Sequence, residues 1–359
     1  MSHRFPAAAR LALAGLLLVL GACERPSPLV VQRGYRGVAM EENRNPRLLA
    51  RLVAANEAPA LIPPIPGDQP KAADVYQNVQ VLKDLSLPEF TRVMLAITAW
   101  VAPPDKSCSY CHQGPMADDA LYTKKVARRM LAMVRDINSN WQAHVGSTGV
   151  TCYTCHRGQP VPAQVWFAAA PVARPQGMLG DRAGQNAPSP VVGLSSLPND
   201  PFSSFLLEAR SIRVGSATAL PTGDRASIKQ TEWTYGFMMH ISQALGVNCT
   251  YCHNSRAFRD WDQSHPARAT AWHGIQMVRA LNTEYLRPLT DTFPDSRHGP
   301  LGDVAKVNCA TCHQGVYKPL FGAQMAKDYP ELQHEKVMEP AAAPPATPAA
   351  AATPPAKSP

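Results

Sequence analysis

Eight of the nine cysteines stand in four copies of one spacing: Cys108, Cys111 and His112 in "CSYCH"; Cys152, Cys155 and His156 in "CYTCH"; Cys249, Cys252 and His253 in "CTYCH"; Cys309, Cys312 and His313 in "CATCH". C-x-x-C-H is the pattern of covalent haem attachment. Two thiols about one helical turn apart add across the two vinyl groups of one porphyrin, and the histidine that follows stands under the iron as its proximal ligand. Zinc sites made of paired CxxC units and thioredoxin-like redox pairs compete for the same spacing. Zinc needs no histidine directly after every second cysteine, however, and redox pairs do not come in fours. The four motifs therefore read as attachment sites for four c-type haems, held by all eight cysteines.

An iron that does no chemistry on a small molecule needs a sixth ligand, so the elements before each motif must supply one. In "LPEFTRVMLAITAWVAPP", Pro88 suits a first helical turn and Pro103-Pro104 end the helix. Phe90, Met94, Ile97 and Val101 share one face, and Met94 precedes His112 by 18 residues. "LYTKKVARRMLAMVRDINSNW" puts Val126, Met130, Met133, Ile137 and Trp141 on one stripe, with Met130 26 residues before His156. "TEWTYGFMMHISQALGVN" aligns Met238, Ile241 and Leu245 and ends at Gly246, a C-cap candidate; Met238 is 15 residues before His253. Core packing is the competing explanation for any methionine stripe, and Met239, Met133 and Met116 are alternative ligands.

The fourth motif breaks the series. Its upstream helix, "ATAWHGIQMVRALN", repeats "ARRMLAMVRDIN" 144 residues on, so that Met277 matches Met133 while Gly274 falls where Met130 stands. A side chain from elsewhere must complete this iron. His144, in "NWQAHVGS" just before the second motif, is the leading candidate, with His240, His265, His273 and His298 competing on sequence alone.

The remaining composition bounds the setting. Arg4 and Arg10 precede the apolar run "LALAGLLLVLGA", which reaches Leu20-Gly21-Ala22-Cys23, a bacterial lipobox in which Cys23 would be acylated and become the mature N-terminus. Ordinary cleavage with an incidental Cys23, or an uncleaved anchor, are the alternatives. Export normally turns cysteines into disulfides, but the motif cysteines are committed to haem. The 35 prolines among 359 residues argue for much irregular backbone. The net charge of +8 would suggest an anionic partner, but no basic cluster with interleaved aromatics supports nucleic acid. Eight haem propionates offset that charge, so some arginines are expected to pair with them.

First cysteines of motifs one and two are 44 residues apart, those of three and four 60, and 97 separate the middle pair, which implies an internal duplication. The expected organisation is a signal peptide at 1–22, a lipid-anchored extended segment at 23–75, a first dihaem half at 76–160, a Pro/Gly-rich connector at 161–225, a second dihaem half at 226–338 and a disordered Ala/Pro tail at 339–359. Residues 24–75 hold few helical signals and several prolines. The connector is expected to drape over the haem domain or a membrane partner. The fold class is mainly α with much irregular structure and minor strand: four helix-loop-CxxCH-helix units in a two-fold repeat around a haem chain.

With four CxxCH motifs in a two-plus-two arrangement, the lipobox, the following "VQRGYRGVAM", a helix before each motif and the phrases "MVRDIN" and "MVRALN", the chain resembles the tetrahaem cytochrome c subunit of purple bacterial photosynthetic reaction centres. The likeness covers the mature chain to about residue 335. It implies Met/His ligation of three haems by Met94, Met130 and Met238, and His/His ligation of the fourth by His144. It also implies haems alternating in potential, the third-motif haem nearest the bacteriochlorophyll special pair and the first-motif haem at the donor end.

Electron transfer from soluble periplasmic donors, either a small cytochrome c or a high-potential iron-sulfur protein, to the photo-oxidised special pair is thus the leading reading. The protein would be a non-enzymatic subunit at the periplasmic face of the photosynthetic membrane. A multihaem redox enzyme, which needs an open iron, and a generic periplasmic conduit are the alternatives. Methionine favours ferrous iron over histidine. His144→Met is therefore expected to raise one haem potential markedly, and an unchanged redox titration would rule out His144 as a ligand.

Overall fold

The computed structural model describes residues 26–32, 41–65, 70–169, 189–215 and 227–333. Cys23, the export signal and the tail at 339–359 lie outside the described residues, as do 170–188 and 216–226 of the connector. The chain is mainly helical with much irregular backbone. Its only strands among the described residues, β1 (Leu29–Gln32) and β2 (Glu41–Arg44), form an antiparallel hairpin. No helix among these residues is long and apolar enough to cross a membrane.

Helices follow as α1 (Pro46–Ala55), α2 (Ala72–Val75), α3 (Leu87–Val101), α4 (Tyr122–Asn140), α5 (Gln142–Val145), α6 (Cys152–His156), α7 (Ile228–Leu245), α8 (Ala267–Ala280), α9 (Cys309–His313) and α10 (Met325–Asp328). Helix α3 starts where Glu89 reaches back to the Ser86 N–H (2.9 Å), and it stops before Pro103-Pro104, which cannot continue a helix. Helix α7 opens on the reciprocal pair Ser227–Gln230 and closes at Gly246, in the left-handed region as its sequence implied. Helix α8 runs on through a π turn (Leu281–Leu286) and a 3-10 turn (Arg287–Thr292).

The motifs themselves adopt two geometries. The second and fourth form the short α-helices α6 and α9. In each, the threonine in the third position of the motif accepts a backbone hydrogen bond at 3.0 Å, Thr154 from Thr151 and Thr311 from Asn308. Both helices then end in a left-handed residue, Arg157 (φ 51°) and Gln314 (φ 48°). Tyr110 and Tyr251 take the threonine's place in the first and third motifs, which form 3-10 turns (Ser107–Tyr110 and Cys249–Tyr251).

Two expectations change. Residues 24–75 are not devoid of helix: Asn45 caps α1 by accepting from the Arg47 N–H (2.9 Å), with Pro46 in the first turn. This segment also reaches the far half of the chain: Arg44 Nη2 donates to Gly246 O (3.2 Å), and the buried Asn56 Nδ2 donates to Gln314 O (3.4 Å). The described connector residues do more than drape over the surface, because Trp166, Val192, Phe202, Phe205 and Leu206 are buried.

The most buried charge is Arg92 on α3, 2% exposed. Its Nη1 meets Glu331 Oε1 at 2.5 Å, its Nε donates to Ile62 O (2.8 Å), its Nη2 donates to Asp328 O (2.6 Å), and the guanidinium lies 4.2 Å over the Tyr329 ring. One side chain thus ties α3 to residues before and far after it. Removing one partner of a buried pair leaves the other charge unpaired at a cost of about 3–5 kcal/mol. Glu331→Ala should therefore lower the unfolding free energy by about that much, whereas Glu208→Ala, in the exposed pair with Arg210, should cost under ~1 kcal/mol; denaturant titration of both variants checks the contrast.

Candidate haem sites

A cavity of about 1280 Å³ runs through the molecule, larger than the roughly 300–1,000 Å³ of an ordinary small-molecule site. Three of the four motifs line it: Cys108, Cys111 and His112; Cys152, Cys155 and His156; Cys309, Cys312 and His313. Met94 of α3, Met130 and Met133 of α4, and His144 of α5 face the same space. The third motif contributes only Tyr251 to the lining. Cys249, Cys252 and His253 are not among the residues lining the cavity, Cys249 is exposed, and the His253 ring stacks on Phe258 at 4.2 Å. Met238 packs against the hydrophobic core at the edge of this region.

The motif histidines are held in a common way. Nδ1 lies 2.9 Å from a backbone carbonyl oxygen in His156 (Gln159 O), His253 (Phe258 O) and His313 (Val316 O). A carbonyl only accepts, so Nδ1 carries the proton and Nε2 keeps its lone pair, the form an iron ligand requires. Burial favours the neutral ring, pushing His313 down to about 4 and lowering His156 and His253. His112 differs in that no carbonyl lies as close to its buried Nδ1, although the Met116 backbone acts on the ring.

His144 shows the same preparation. Its Nδ1 lies 2.9 Å from Thr270 O on α8, and burial lowers its pKa. Its ring centre is 6.0 Å from that of His313. Two metal–imidazole bonds of about 2 Å, with about 1 Å more from each nitrogen to its ring centre, span about 6 Å. The separation fits an iron held between them.

Gly274 makes this approach feasible. A Cβ at that position would stand 2.5 Å from His144 Cε1 and 2.7 Å from its Nδ1. The residue that replaces Met130 in the repeat is thus small because the imidazole occupies its space.

Two of the competitors are otherwise engaged. His265 Nδ1 accepts from the Ala267 N–H (3.1 Å), and His298 Nε2 faces Thr290 O (3.0 Å), so both hold the opposite tautomer. His240 is buried against Phe202 and Phe237, and burial pushes it down to about 4. His273 neighbours Gly274 and disfavours a charge on His144. Among the other methionines, Met277 and Met116 also line the cavity, Met277 buried and Met116 65% exposed, while the Met239 methyl packs towards the connector at Gly193.

Two motif cysteines lie within bonding distance of each other. Cys155 and Cys312 are joined in a disulfide, because α6 and α9 pack together with the second cysteine of each motif face to face, Cα–Cα 4.4 Å. A sulfur so bonded has none left for a thioether, so this pairing and haem attachment at these two positions exclude each other. The other six motif cysteines are free, and burial pushes Cys152 and Cys309 up to about 12 and Cys252 to about 11.

Sequence reasoning missed the role of the third motif position. The alternation Tyr, Thr, Tyr, Thr along the four motifs is its signal, since a threonine there can cap the turn and a tyrosine cannot.

Gly274→Ala tests the geometry directly. If His144 is the ligand opposite His313, the added methyl should push it away, so that one haem of the reduced protein gains carbon monoxide binding. An unchanged carbon monoxide difference spectrum would contradict the placement of His144.

Comparison with known proteins identifies the family. Residues 24–333 match the family described as photosynthetic reaction centre cytochrome C subunit. The photosynthetic reaction center cytochrome c subunit of Rubrivivax gelatinosus is 56% identical over 316 residues, covering 88% of this chain and 86% of that one. Its namesake from Thermochromatium tepidum is 52% identical, covering 91% and 80%, and that from Roseobacter denitrificans 44%, covering 74% of each. With a buried cavity lined by haem-attachment motifs and ready imidazoles, the chain belongs to the photosynthetic reaction centre cytochrome c subunits.

Proposed function

We propose that the protein carries electrons from soluble periplasmic donors through four covalently bound haems to the photo-oxidised special pair of a photosynthetic reaction centre. The observation that carries this reading is the facing pair His144–His313 across Gly274. It supplies a sixth ligand to the one motif without a methionine, so no iron is left open for substrate. A bound haem supplies reversible one-electron storage on its iron.

The chain's part is to set potentials and distances. Cys108 and Cys111, Cys152 and Cys155, Cys249 and Cys252, and Cys309 and Cys312 would hold the four haems, attachment at Cys155 and Cys312 requiring that a thiol reductant first open the disulfide between them. His112, His156, His253 and His313 are proximal ligands, and Met94, Met130, Met238 and His144 are distal. Methionine ligands raise the potential of three haems and His144 keeps the fourth low. The halves 76–160 and 226–338 are duplicated units. The shared geometry of α6 and α9, and of the two 3-10 motif turns, supports that repeat.

The third motif, which lends only Tyr251 to the shared cavity, suits the end covered by the membrane subunits. The first motif receives electrons from a small cytochrome c or a high-potential iron-sulfur protein. Acylated Cys23 anchors the protein at the periplasmic face.

A spectroelectrochemical titration of the purified protein, with carbon monoxide added to the reduced form, tests the reading. Four one-electron steps without a carbon monoxide shift are expected. A shifted haem would mean an open iron and an enzyme, and failure to co-purify with bacteriochlorophyll would leave only a generic conduit. Peptide mapping should find haem on both Cys155 and Cys312; a disulfide-linked pair of peptides from the holoprotein would exclude attachment there.

A further inference from the structure

The phrases "MVRDIN" and "MVRALN" end on the same residue type 144 positions apart, Asn138 and Asn282. Both are deeply buried, 5% and 0% exposed, and neither lines the cavity. Each makes the same grip on distant backbone. Asn138 Nδ2 donates to Val150 O (2.9 Å) while its Oδ1 accepts from the Val150 N–H (2.7 Å). Asn282 Nδ2 donates to Val307 O (3.0 Å) while its Oδ1 accepts from the Val307 N–H (2.9 Å).

In both cases the valine stands two residues before the first cysteine of a motif, Cys152 and Cys309. The remaining amide proton goes to Leu332 O (2.9 Å) in one copy and to Leu206 O (3.2 Å) in the other. All the donors of each amide are therefore used.

The grip links the two walls of a haem slot. Asn138 lies eight residues beyond Met130 in the same helix, and Asn282 eight beyond Gly274. Each asparagine joins the element that carries or admits a distal ligand to the segment that opens a proximal motif. Gly149 makes room for the first copy: at φ +58° its Cβ would stand 2.8 Å from Asn138 Oδ1 and 2.2 Å from Ala326 Cβ. The third motif is tethered differently. Its matching residue, Val247, is held by Ser242 of the helix it directly follows, with no long-range bond.

We infer that Asn138 and Asn282 are positioning residues that set the span between distal and proximal iron ligands at the second and fourth haem sites, each tuning its own haem. The inference rests on the ligand assignment proposed above. A buried amide with every donor bonded leaves the two walls no slack, and a change in the span alters the length of an axial bond.

Asparagine to aspartate keeps the side-chain shape but replaces the donating nitrogen by an oxygen that faces carbonyl oxygens. Asn138→Asp and Asn282→Asp would be compared with wild type as full-length haem proteins, by redox titration and by the red charge-transfer absorption of the iron–methionine bond. Wild type is measured first. If it shows no iron–methionine absorption, the ligand assignment fails, and the clamps fall with it.

With that absorption present, Asn138→Asp should remove about one third of it and move one potential, since one of three methionine-ligated haems is affected. Asn282→Asp should leave the absorption intact and move a different potential. A uniform shift of all four haems, no shift in either variant, or loss of haem from both would overturn the inference, because a contact that serves only the fold does not single out one haem.

Discussion

Backbone groups that close the cavity walls are satisfied by side chains from remote parts of the chain, and the rest of the structure depends on that exchange. Around a cavity of about 1280 Å³, helices cannot simply rest on one another as they do in a solid core. Arg92 answers carbonyls at 62 and 328, and Asn138 and Asn282 answer Val150 and Val307. An unsatisfied buried backbone group costs about 1–3 kcal/mol, so each of these anchors fixes a spacing as well as adding stability. The walls are held apart as firmly as they are held together.

Within that frame, the proposed difference between methionine and histidine ligation comes down to one missing Cβ. Helices α4 and α8 carry related sequences, yet one presents Met130 and the other, at Gly274, admits the ring of His144 from α5. The donor of that histidine lies in the half of the chain that carries the second motif, so the fourth site is built from both halves. Thr270, on the same helix as Gly274, orients the ring through its carbonyl. Exclusion and orientation thus come from one helix face.

Helices α6 and α9 meet closely enough for Cys155 and Cys312 to bond, which brings the second and fourth sites next to each other although 157 residues separate the two cysteines. Arg157, just after the second motif, donates to the Asn56 side chain at 3.1 Å, and Asn56 in turn reaches Gln314 just after the fourth. The N-terminal segment thereby binds the two neighbouring motifs to each other.

Much of this was legible in the sequence, because the signals concerned are local. CxxCH spacing marks the attachment chemistry, Ser86 with Glu89 and Pro103-Pro104 bound α3, and Gly246 ends α7, each through bonds among a few neighbouring residues. The substitution of Gly274 for a methionine announced that a ligand must come from elsewhere. What the sequence left open was decided by long-range contact: which histidine enters, which methionines face the cavity, that residues 46–55 pack as a helix on the second half, and that connector aromatics at 202 and 205 are core. His144, His265 and His298 look alike in sequence. They are separated only by which backbone group meets which ring nitrogen, and that depends on how segments more than a hundred residues apart come to lie together.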